Sequence, residues 1–257
     1  FPDIVCALLL PINPAPTIPI FIVLFHLIFY SFSFKITAVT KLPPIAILAG
    51  GLATRLYPIT HTIPKSLVIV AGKPFIEHQL KLLKSYGAEE IVLCVGNMSE
   101  QIVEFVGDGG RYGLKVKYSH DGETRLGTGG AIKKALPILG KIFLVTYGDS
   151  YLETPLSPIV EKFQEEKKEG LMVVYKNKGK YDNSNVVFAN DKIIAYGKKK
   201  KTPNMHHIDY GIGVLTAVAF DQTDDGPLDL ADMYSTLVKK NQLAGFGKKI
   251  GFATNNV

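Results

Sequence analysis

Cysteine and tryptophan are almost absent from this sequence, which contains two cysteines and no tryptophan. Cys6 and Cys94 stand far apart, and neither belongs to a Cys-x-x-Cys motif or to a Cys/His cluster. Such spacing excludes a structural zinc site and a disulfide framework. It fits a reducing compartment, and we therefore expect a cytoplasmic protein.

A strong charge imbalance is also missing. Charged residues make up 20% of the 257 residues and give a formal net charge of +6, while 47% of the residues are hydrophobic. This composition excludes a disordered or fibrous chain, and the length suits one well-buried α/β domain or two small ones. A small positive surplus suits an anionic ligand, and we favour small phosphorylated ligands over nucleic acid.

Long apolar runs are absent as well, with one exception near the start. The run Ile18–Phe34, IPIFIVLFHLIFYSFSF, carries no charge but is just short of the roughly 20 residues that a membrane-spanning helix needs. The chain begins with Phe, and no basic segment or cleavage site marks a signal peptide. We expect residues 1–41 to be an extension upstream of the natural start, with a membrane segment at 18–34 as the alternative. The folded domain is then expected at 42–257.

From Pro44 onwards, short β-rich runs alternate with helical ones. Strands are predicted at 45–50, 66–70, 91–96, 114–119 and 142–148, with helices at 74–87, at 99–107 opened by Ser99 as N-cap, and at 129–136. This alternation predicts an α/β fold, a Rossmann-like mostly parallel sheet with helices on both faces. After residue 158 we expect a small mixed β subregion with a hairpin turn at Asn190-Asp191, leaving a cleft along the strand C-termini.

The loop after the first predicted strand is built for an anion. Gly50 and Gly51 allow a tight turn whose N–H groups approach a ligand closely, because neither has a Cβ. Arg55 adds a planar fork suited to phosphate oxygens, and Lys65 adds a point charge after Pro64. The spacing matches neither a Walker A loop nor the G-x-G-x-x-G fingerprint. We therefore predict a triphosphate-binding loop of another kind.

The segment LAGGLATRLYPIT…PKSLVIVAGKP resembles the opening motif of the sugar-1-phosphate nucleotidyltransferases, L-A-G-G-x-G-T-R-L-x-P-x-T…P-K-x-L. The resemblance extends from about Ile45 to about Gly245, and Ala53 stands where the family usually has a third glycine. It implies that the nucleotide is bound by four residues of this segment, Ala49, Gly50, Gly51 and Thr54. It also implies catalytic contacts to phosphates from Arg55 and Lys65.

Two further segments resemble the family in chain order. RLGTGGAI, at 125–132, implies that Gly127 and Thr128 face the base and ribose, with the start of the following helix facing the nucleotide. LVTYGDS implies that Asp149 is a ligand of Mg²⁺ beside the α-phosphate, and a hard oxygen ligand suits this ion. From the residues alone, each segment is also compatible with a purely structural turn.

The second half of the chain carries the residues that the resemblance assigns to the sugar phosphate. Lys198 in IIAYGKKKKTP stands where the family has a catalytic lysine that contacts the phosphate, although a solvated basic turn has the same appearance. Asn185 and Asp209 match positions that hydrogen-bond sugar hydroxyls. The neighbouring histidines His206 and His207 do not predict a metal site, because adjacent side chains on a strand point to opposite faces.

The activity implied by the resemblance is nucleotidyl transfer from an NTP to a sugar 1-phosphate, for the synthesis of nucleotide-sugar precursors of polysaccharides such as lipopolysaccharide or capsule. The motifs look nearest to the mannose- and heptose-type guanylyltransferases, which favours GTP, with UTP, CTP and dTTP as alternatives. Mg²⁺ is the implied cofactor. We expect no nucleic-acid partner, membrane contact only if residues 18–34 are native, and leave a homo-oligomer open.

The end of the sequence departs from the family pattern. Lys249 stands before Ile250-Gly251, where family members typically have an acidic second metal ligand, so we expect the domain to be truncated at its C-terminus. Loss of that acid favours a first alternative, a catalytically silent sugar-nucleotide-binding or regulatory subunit. A transferase acting on choline phosphate or a cofactor precursor is the second, and Asn185 and Asp209 argue against it.

Overall fold

The alternation of strands and helices is present in the computed structural model, which describes residues 41–122, 124–177, 179, 182–197, 201–224 and 226–248. The strands are β1 (Ile45–Leu48), β2 (Ile69–Val70), β3 (Lys73–Pro74), β4 (Glu90–Val95), β5 (Lys115–His120), β6 (Ile142–Tyr147), β7 (Gly170–Lys176), β8 (Val186–Ala189), β9 (Lys192–Tyr196), β10 (His207–Thr216) and β11 (Leu243–Gly247). The α-helices are α1 (Phe75–Ser85), α2 (Ser99–Val106), α3 (Gly127–Leu139), α4 (Ser157–Glu166) and α5 (Leu230–Lys239).

Nine of these strands form one sheet in the order β5-β4-β1-β6-β10-β7-β11-β9-β8. The first four are parallel to one another, because each is reached through a crossover that contains a helix. The second half of the chain continues the same sheet, since β10 pairs antiparallel with β6 and β7. The predicted α/β fold and the hairpin at Asn190-Asp191 are confirmed, and both hairpin residues have a positive φ.

Helices cover both faces of the sheet because its strands alternate two apolar sets of side chains. In β1, Ile45 and Ile47 pack into one core with α1, α2 and α4, while Ala46 packs into a second core with α3 and α5. All three β1 side chains are fully buried. Burial on both faces is what makes the strands of a parallel sheet read as continuous apolar runs.

Two local predictions were wrong. The strand predicted at 66–70 begins as a short 3-10 turn at Lys65–Leu67, and only Ile69–Val70 is extended, paired with β3 outside the main sheet. Its apolar side chains Ile69 and Val70 are exposed. Ser99 is the first residue of α2 and not its N-cap, since Met98 occupies the cap position in a left-handed conformation.

The parallel strands bring four loops to one edge of the sheet. In the spatial order of the strands, Asp121 follows β5, Gly96 follows β4, Ala49 follows β1 and Gly148 follows β6. This is the edge at which open α/β sheets bind ligands.

Some predictions fall on residues that the structure does not describe. Residues 1–40, with the apolar run at 18–34, Lys198 and Lys249 all lie outside the described residues. Among the described helices, none combines the length and the apolar character needed to cross a membrane.

Candidate active site

A cavity of about 730 Å³ opens at the C-terminal ends of the parallel strands. Its walls are residues 48–54 at the end of β1 and in the loop after it, Lys65 and Ser66, residues 94 and 96–97 at β4, residues 121–122, 124–128 and 131 after β5, and residues 147–149 at the end of β6. Small-molecule sites in proteins typically enclose about 300–1,000 Å³. The cavity is therefore large enough for a nucleotide.

The two glycines of the opening loop differ in what surrounds them. A Cβ on Gly50 would lie 2.8 Å from Asp121 Oδ2 and 3.2 Å from the backbone nitrogen of Gly96, so no larger residue fits without displacement. A Cβ on Gly51 would meet nothing within 4 Å, and this residue faces the cavity. Gly50 therefore serves the packing of the loop, and Gly51 leaves open space for a ligand.

Ala53, the position where the family pattern has glycine, adopts a left-handed backbone with φ of 51°. The left-handed region costs a residue with a Cβ roughly 1 kcal/mol or more, which is the physical reason to prefer glycine there. The buried Thr60 hydroxyl donates a hydrogen bond of 2.9 Å to the Ala53 carbonyl. This bond helps to hold the bend that leads into the 3-10 turn at Thr54–Leu56.

Lys65 and Asp149 form an ion pair at the edge of the cavity, with 2.5 Å between Nζ and Oδ2. Both side chains are partly exposed, so the pair is accessible to a ligand. The turn that carries Asp149 is held by the buried Gln79 of α1, whose side-chain amide donates to the carbonyls of Tyr147 at 2.8 Å and Ser150 at 2.9 Å. Sequence reasoning missed Gln79, because it lies in an amphipathic helix and outside the motifs.

Arg55 belongs to the same loop but lies apart from the cavity wall. It is exposed in the 3-10 turn at Thr54–Leu56 and is not among the described residues that line the cavity. Thr54, Ala49 and both loop glycines do line it.

The start of α3 is occupied by another segment of the chain. The amides of Gly129 and Gly130 donate to the Leu228 carbonyl at 2.8 and 3.2 Å. The Thr128 hydroxyl donates to the Asp229 carboxylate at 3.1 Å and accepts from the amide of Leu230 at 2.9 Å. Gly127 and Thr128 still border the cavity, but these two amides of the helix start are engaged and do not face an anion.

Asn185 and Asp209 are joined to each other. The Asp209 amide donates to Asn185 Oδ1 at 3.0 Å, and Asp209 Oδ1 accepts from the Gly211 amide at 2.9 Å. Both residues are half-buried, and Asp209 lies at a break in the pairing of β10 with β7. A Cβ on Gly211 would lie 3.3 Å from Ser150 Oγ, so this bulge packs against the turn of Asp149.

Negative charge gathers around the buried hydroxyl of Tyr147 at the end of β6. Burial raises the pKa of Tyr147 strongly, and the carboxylates of Asp209, Asp229 and Asp149 raise it further. Gly211, two residues after Asp209, also packs against Ser150, the neighbour of Asp149. The structure brings the predicted sugar-binding and metal-binding residues into one neighbourhood.

Asp121 is a cavity residue that the motifs did not indicate. It follows β5 and lines the cavity beside Gly50 and Gly96. A signal was present in the sequence, because an aspartate directly after a predicted parallel strand belongs at the same edge as Gly50 and Asp149.

An open α/β sheet with a glycine loop and an ion pair at its strand ends defines a protein that binds a nucleotide or a related phosphate compound. Residues 45–225, more than half of the chain, match the family model described as nucleotidyl transferase. The chain belongs to the nucleotidyl transferase family.

Several of its curated relatives are named for reactions of a sugar 1-phosphate. A D-glycero-alpha-D-manno-heptose 1-phosphate guanylyltransferase of Campylobacter jejuni is 34% identical over 176 residues, which cover 68% of this chain and 76% of that enzyme. A UTP–glucose-1-phosphate uridylyltransferase of Synechocystis is 35% identical over 130 residues, which cover 46% of this chain and 34% of that enzyme. Three of the curated relatives are matched over between a third and a half of their length.

The same fold is present in solved structures. A protein of Bacillus anthracis described as a glucose-1-phosphate thymidylyltransferase, in complex with sucrose, has a TM-score of 0.70 and 25% identity. The match covers 81% of this chain and 87% of that one. The nine-stranded sheet is therefore the nucleotide-diphospho-sugar transferase fold.

Proposed function

We propose that this protein transfers a nucleotidyl group from an NTP to a sugar 1-phosphate and releases pyrophosphate. The observation that carries the proposal is the Lys65–Asp149 ion pair, 2.5 Å between charged atoms, beside a cavity of nucleotide size. The pair offers one cation for phosphate oxygens and one hard anionic oxygen at the same place. Membership of the nucleotidyl transferase family supports this use of the two groups.

The reaction needs positioning more than covalent chemistry. An oxygen of the sugar phosphate forms a bond to the α-phosphorus of the NTP, and the bond from that phosphorus to the bridging oxygen breaks, which releases pyrophosphate. Charge moves onto the leaving group, where fixed cations stabilise it. We assign Lys65 to the nucleotide phosphates, Arg55 to the leaving pyrophosphate and Lys198 to the attacking phosphate. Ala49, the loop glycines and Thr54 border the nucleotide.

Asp149 is the residue that would hold Mg²⁺. The described residues contain no group of three or more His, Cys, Asp or Glu side chains able to hold a metal ion. Mg²⁺ on a nucleotide needs only one or two carboxylates, because phosphates and water complete its shell, so a single aspartate fits. The bound ion would neutralise charge on the α-phosphate. One Asp149 oxygen is held by Lys65, and we infer that this lysine turns to the phosphates when the nucleotide binds.

We assign the sugar 1-phosphate to the region around β10, the strand next to β6 in the sheet. Asp209 lies at the break in β10, Asn185 accepts a hydrogen bond from its amide, and both residues are half-buried. We assign Gly127 and Thr128, which line the cavity, to the base and ribose. We place the catalytic domain at 42–257, because Leu42 is already buried in the core. We assign the reaction to the cytoplasm. GTP is the favoured nucleotide.

The test is pyrophosphate release by the full chain, offered each NTP with Mg²⁺ and a panel of sugar 1-phosphates. We expect release that depends on one NTP and sugar pair and disappears in Asp149→Ala. Asp221→Ala, a change at an exposed aspartate outside the cavity wall, is the matched control and should keep full activity. A folded protein that binds an NTP without release would instead be a silent binding subunit.

Asp209 separates the sugar assignment from a different acceptor. Asp209→Ala should raise the KM for the sugar 1-phosphate while leaving the KM for the NTP nearly unchanged. Activity with choline phosphate that is indifferent to this change would contradict the proposed acceptor. Oligomeric state is measured on the same samples by light scattering.

A further inference from the structure

Gln79 of α1 has its side-chain amide committed to the turn that carries Asp149. Its Nε2 donates to the Tyr147 carbonyl at 2.8 Å and to the Ser150 carbonyl at 2.9 Å, one on each side of that turn. The residue is 2% exposed, and its Oε1 atom is buried with no hydrogen-bond partner among the described residues. A buried polar atom without a partner costs free energy, which an apolar side chain would avoid. The packing of α1 alone therefore does not account for a glutamine at this position.

The turn of Asp149 is held from two sides. On one side, the Gly148 amide donates to the Leu48 carbonyl at 2.9 Å, at the end of β1. A Cβ on Gly148 would lie 2.8 Å from the same carbonyl oxygen, so the turn lies directly against β1. On the other side, Gln79 attaches the turn to α1. The Asp149 side chain itself is partly exposed and lines the cavity.

The same helix supports the other member of the ion pair. The 3-10 turn at Lys65–Leu67 contacts α1. The amide of Phe75, the first residue of α1, donates to the Val68 carbonyl at 3.0 Å, directly after that turn. One helix therefore supports both charged side chains, which approach to 2.5 Å.

We propose that Gln79 is a positioning residue for Mg²⁺, because it holds the turn from which the Asp149 carboxylate reaches the metal ion on the bound nucleotide. This inference rests on the proposed function, since it assumes that Asp149 is the Mg²⁺ ligand. Mg²⁺ demands near-ideal octahedral geometry, so the placement of its carboxylate matters. Residues that orient a metal ligand typically change metal affinity or activity by about 10–100-fold. Gln79 holds the backbone and not the carboxylate, so we expect about tenfold, the lower end.

The first test measures how much Mg²⁺ tightens NTP binding, by isothermal titration calorimetry on the full chain without a sugar phosphate. The NTP is the one that binds most tightly among GTP, UTP, CTP and dTTP, and the readout is the ratio of its Kd in EDTA to its Kd in Mg²⁺. In Gln79→Met, which keeps the length of the side chain and removes the amide, this ratio should fall about tenfold. The Kd in EDTA should change little, because Gln79 is not among the described residues that line the cavity. An unchanged ratio would overturn the proposal.

The second test is a double-mutant cycle with Asp149→Ala. If Gln79 acts through Asp149, adding Gln79→Met to Asp149→Ala leaves the ratio where Asp149→Ala alone has put it. A merely structural role has no such dependence, so equal effects of Gln79→Met in both backgrounds would refute the positioning role. Gln101→Met is the matched control, since Gln101 also donates through Nε2 to a backbone carbonyl, that of Thr62 at 3.1 Å. Neither of these two residues lines the cavity, so the control should keep the ratio of the parent.

The two proposals fail in different ways. Pyrophosphate release that disappears in Asp149→Ala, together with an unchanged ratio in Gln79→Met, would overturn the role of Gln79 and leave the transferase standing. If Asp149→Ala keeps the full effect of Mg²⁺, Asp149 is not the metal ligand and both assignments fail. Should Gln79→Met not fold, Gln79→Glu takes its place with the same expected result, since it keeps the shape of the side chain and replaces the NH₂ donor by an oxygen.

Discussion

Gly50→Ala is the perturbation that most directly tests how the opening loop is packed. The added Cβ would lie 2.8 Å from Asp121 Oδ2 and 3.2 Å from the Gly96 nitrogen, whereas ordinary contacts begin at 3.4 Å. One neighbour is the end of a side chain and yields, but the other is backbone. Gly51→Ala is the matched control, because its Cβ meets nothing within 4 Å. Neither glycine has a positive φ, so alanine fits both backbones.

The expected cost follows from these distances. Overpacking a close contact lowers the free energy of unfolding by about 1–3 kcal/mol. Replacing glycine by alanine raises it by about 0.4–1 kcal/mol, because alanine restricts the unfolded chain. Gly50→Ala should therefore lower the free energy of unfolding by about 1–2 kcal/mol, while Gly51→Ala leaves it unchanged or raises it slightly. For a domain of this size, such a loss corresponds to a fall in Tm of about 2–8 °C.

Urea unfolding followed by circular dichroism measures both variants. Adding Asp121→Ala to each background completes a double-mutant cycle, and most of the cost of Gly50→Ala should persist without the carboxylate, because the contact with the Gly96 backbone remains. Equal unfolding midpoints for the two alanine variants would refute the reasoning. Gly51→Ala should nevertheless weaken NTP binding, because its methyl group takes the space left for the ligand.

Three further changes test other parts of the structure. Asp229 caps α5, because its Oδ1 accepts a hydrogen bond from the amide of Ala231 at 2.9 Å. Asp229→Ala should therefore lower the free energy of urea unfolding by about 1 kcal/mol, whereas Asp232→Ala, at an exposed position of the same helix, should leave it unchanged. Ala53→Gly relieves a left-handed alanine and should raise the free energy of unfolding by up to about 1 kcal/mol; a lower free energy of unfolding would contradict the strain. Burial raises the pKa of Cys94 to about 12. In a Cys6→Ser variant, a thiol reagent should therefore react with Cys94 only when the protein unfolds. Rapid labelling of the folded protein would contradict the burial of this strand.

The architecture of the first half could be predicted because local patterns and topology agree there. Apolar runs of strand length separated by amphipathic helices admit few arrangements other than parallel βαβ units. Once β1 is placed, the topology alone puts three residues at the same edge of the sheet, namely Gly50, Lys65 and Asp149. The position of these residues was therefore predictable, but their ion pair was not.

The predictions that were wrong depended on tertiary contacts. The apolar run at 66–70 has strand composition, yet Ile69 and Val70 are exposed, because Lys65–Leu67 turns the chain before it can join the sheet. No periodicity in a window of this length reports such a turn. Asp121 was overlooked because it belongs to none of the motifs, although its place shortly after a predicted strand was a signal.

The glycines of RLGTGGAI show why a motif does not define a contact. The sequence suggested that they open the helix start toward an anion, and glycine does allow such an approach. In the structure, a Cβ on Gly127 would lie 2.6 Å from the Leu228 carbonyl oxygen, and a Cβ on Gly130 would lie 2.8 Å from that of Gly226. These glycines are therefore required by the segment that leads into α5. The amides of Gly129 and Gly130 donate hydrogen bonds to that segment. Because α5 begins at the end of the segment, these contacts connect the cavity wall to the half of the sheet that α5 covers.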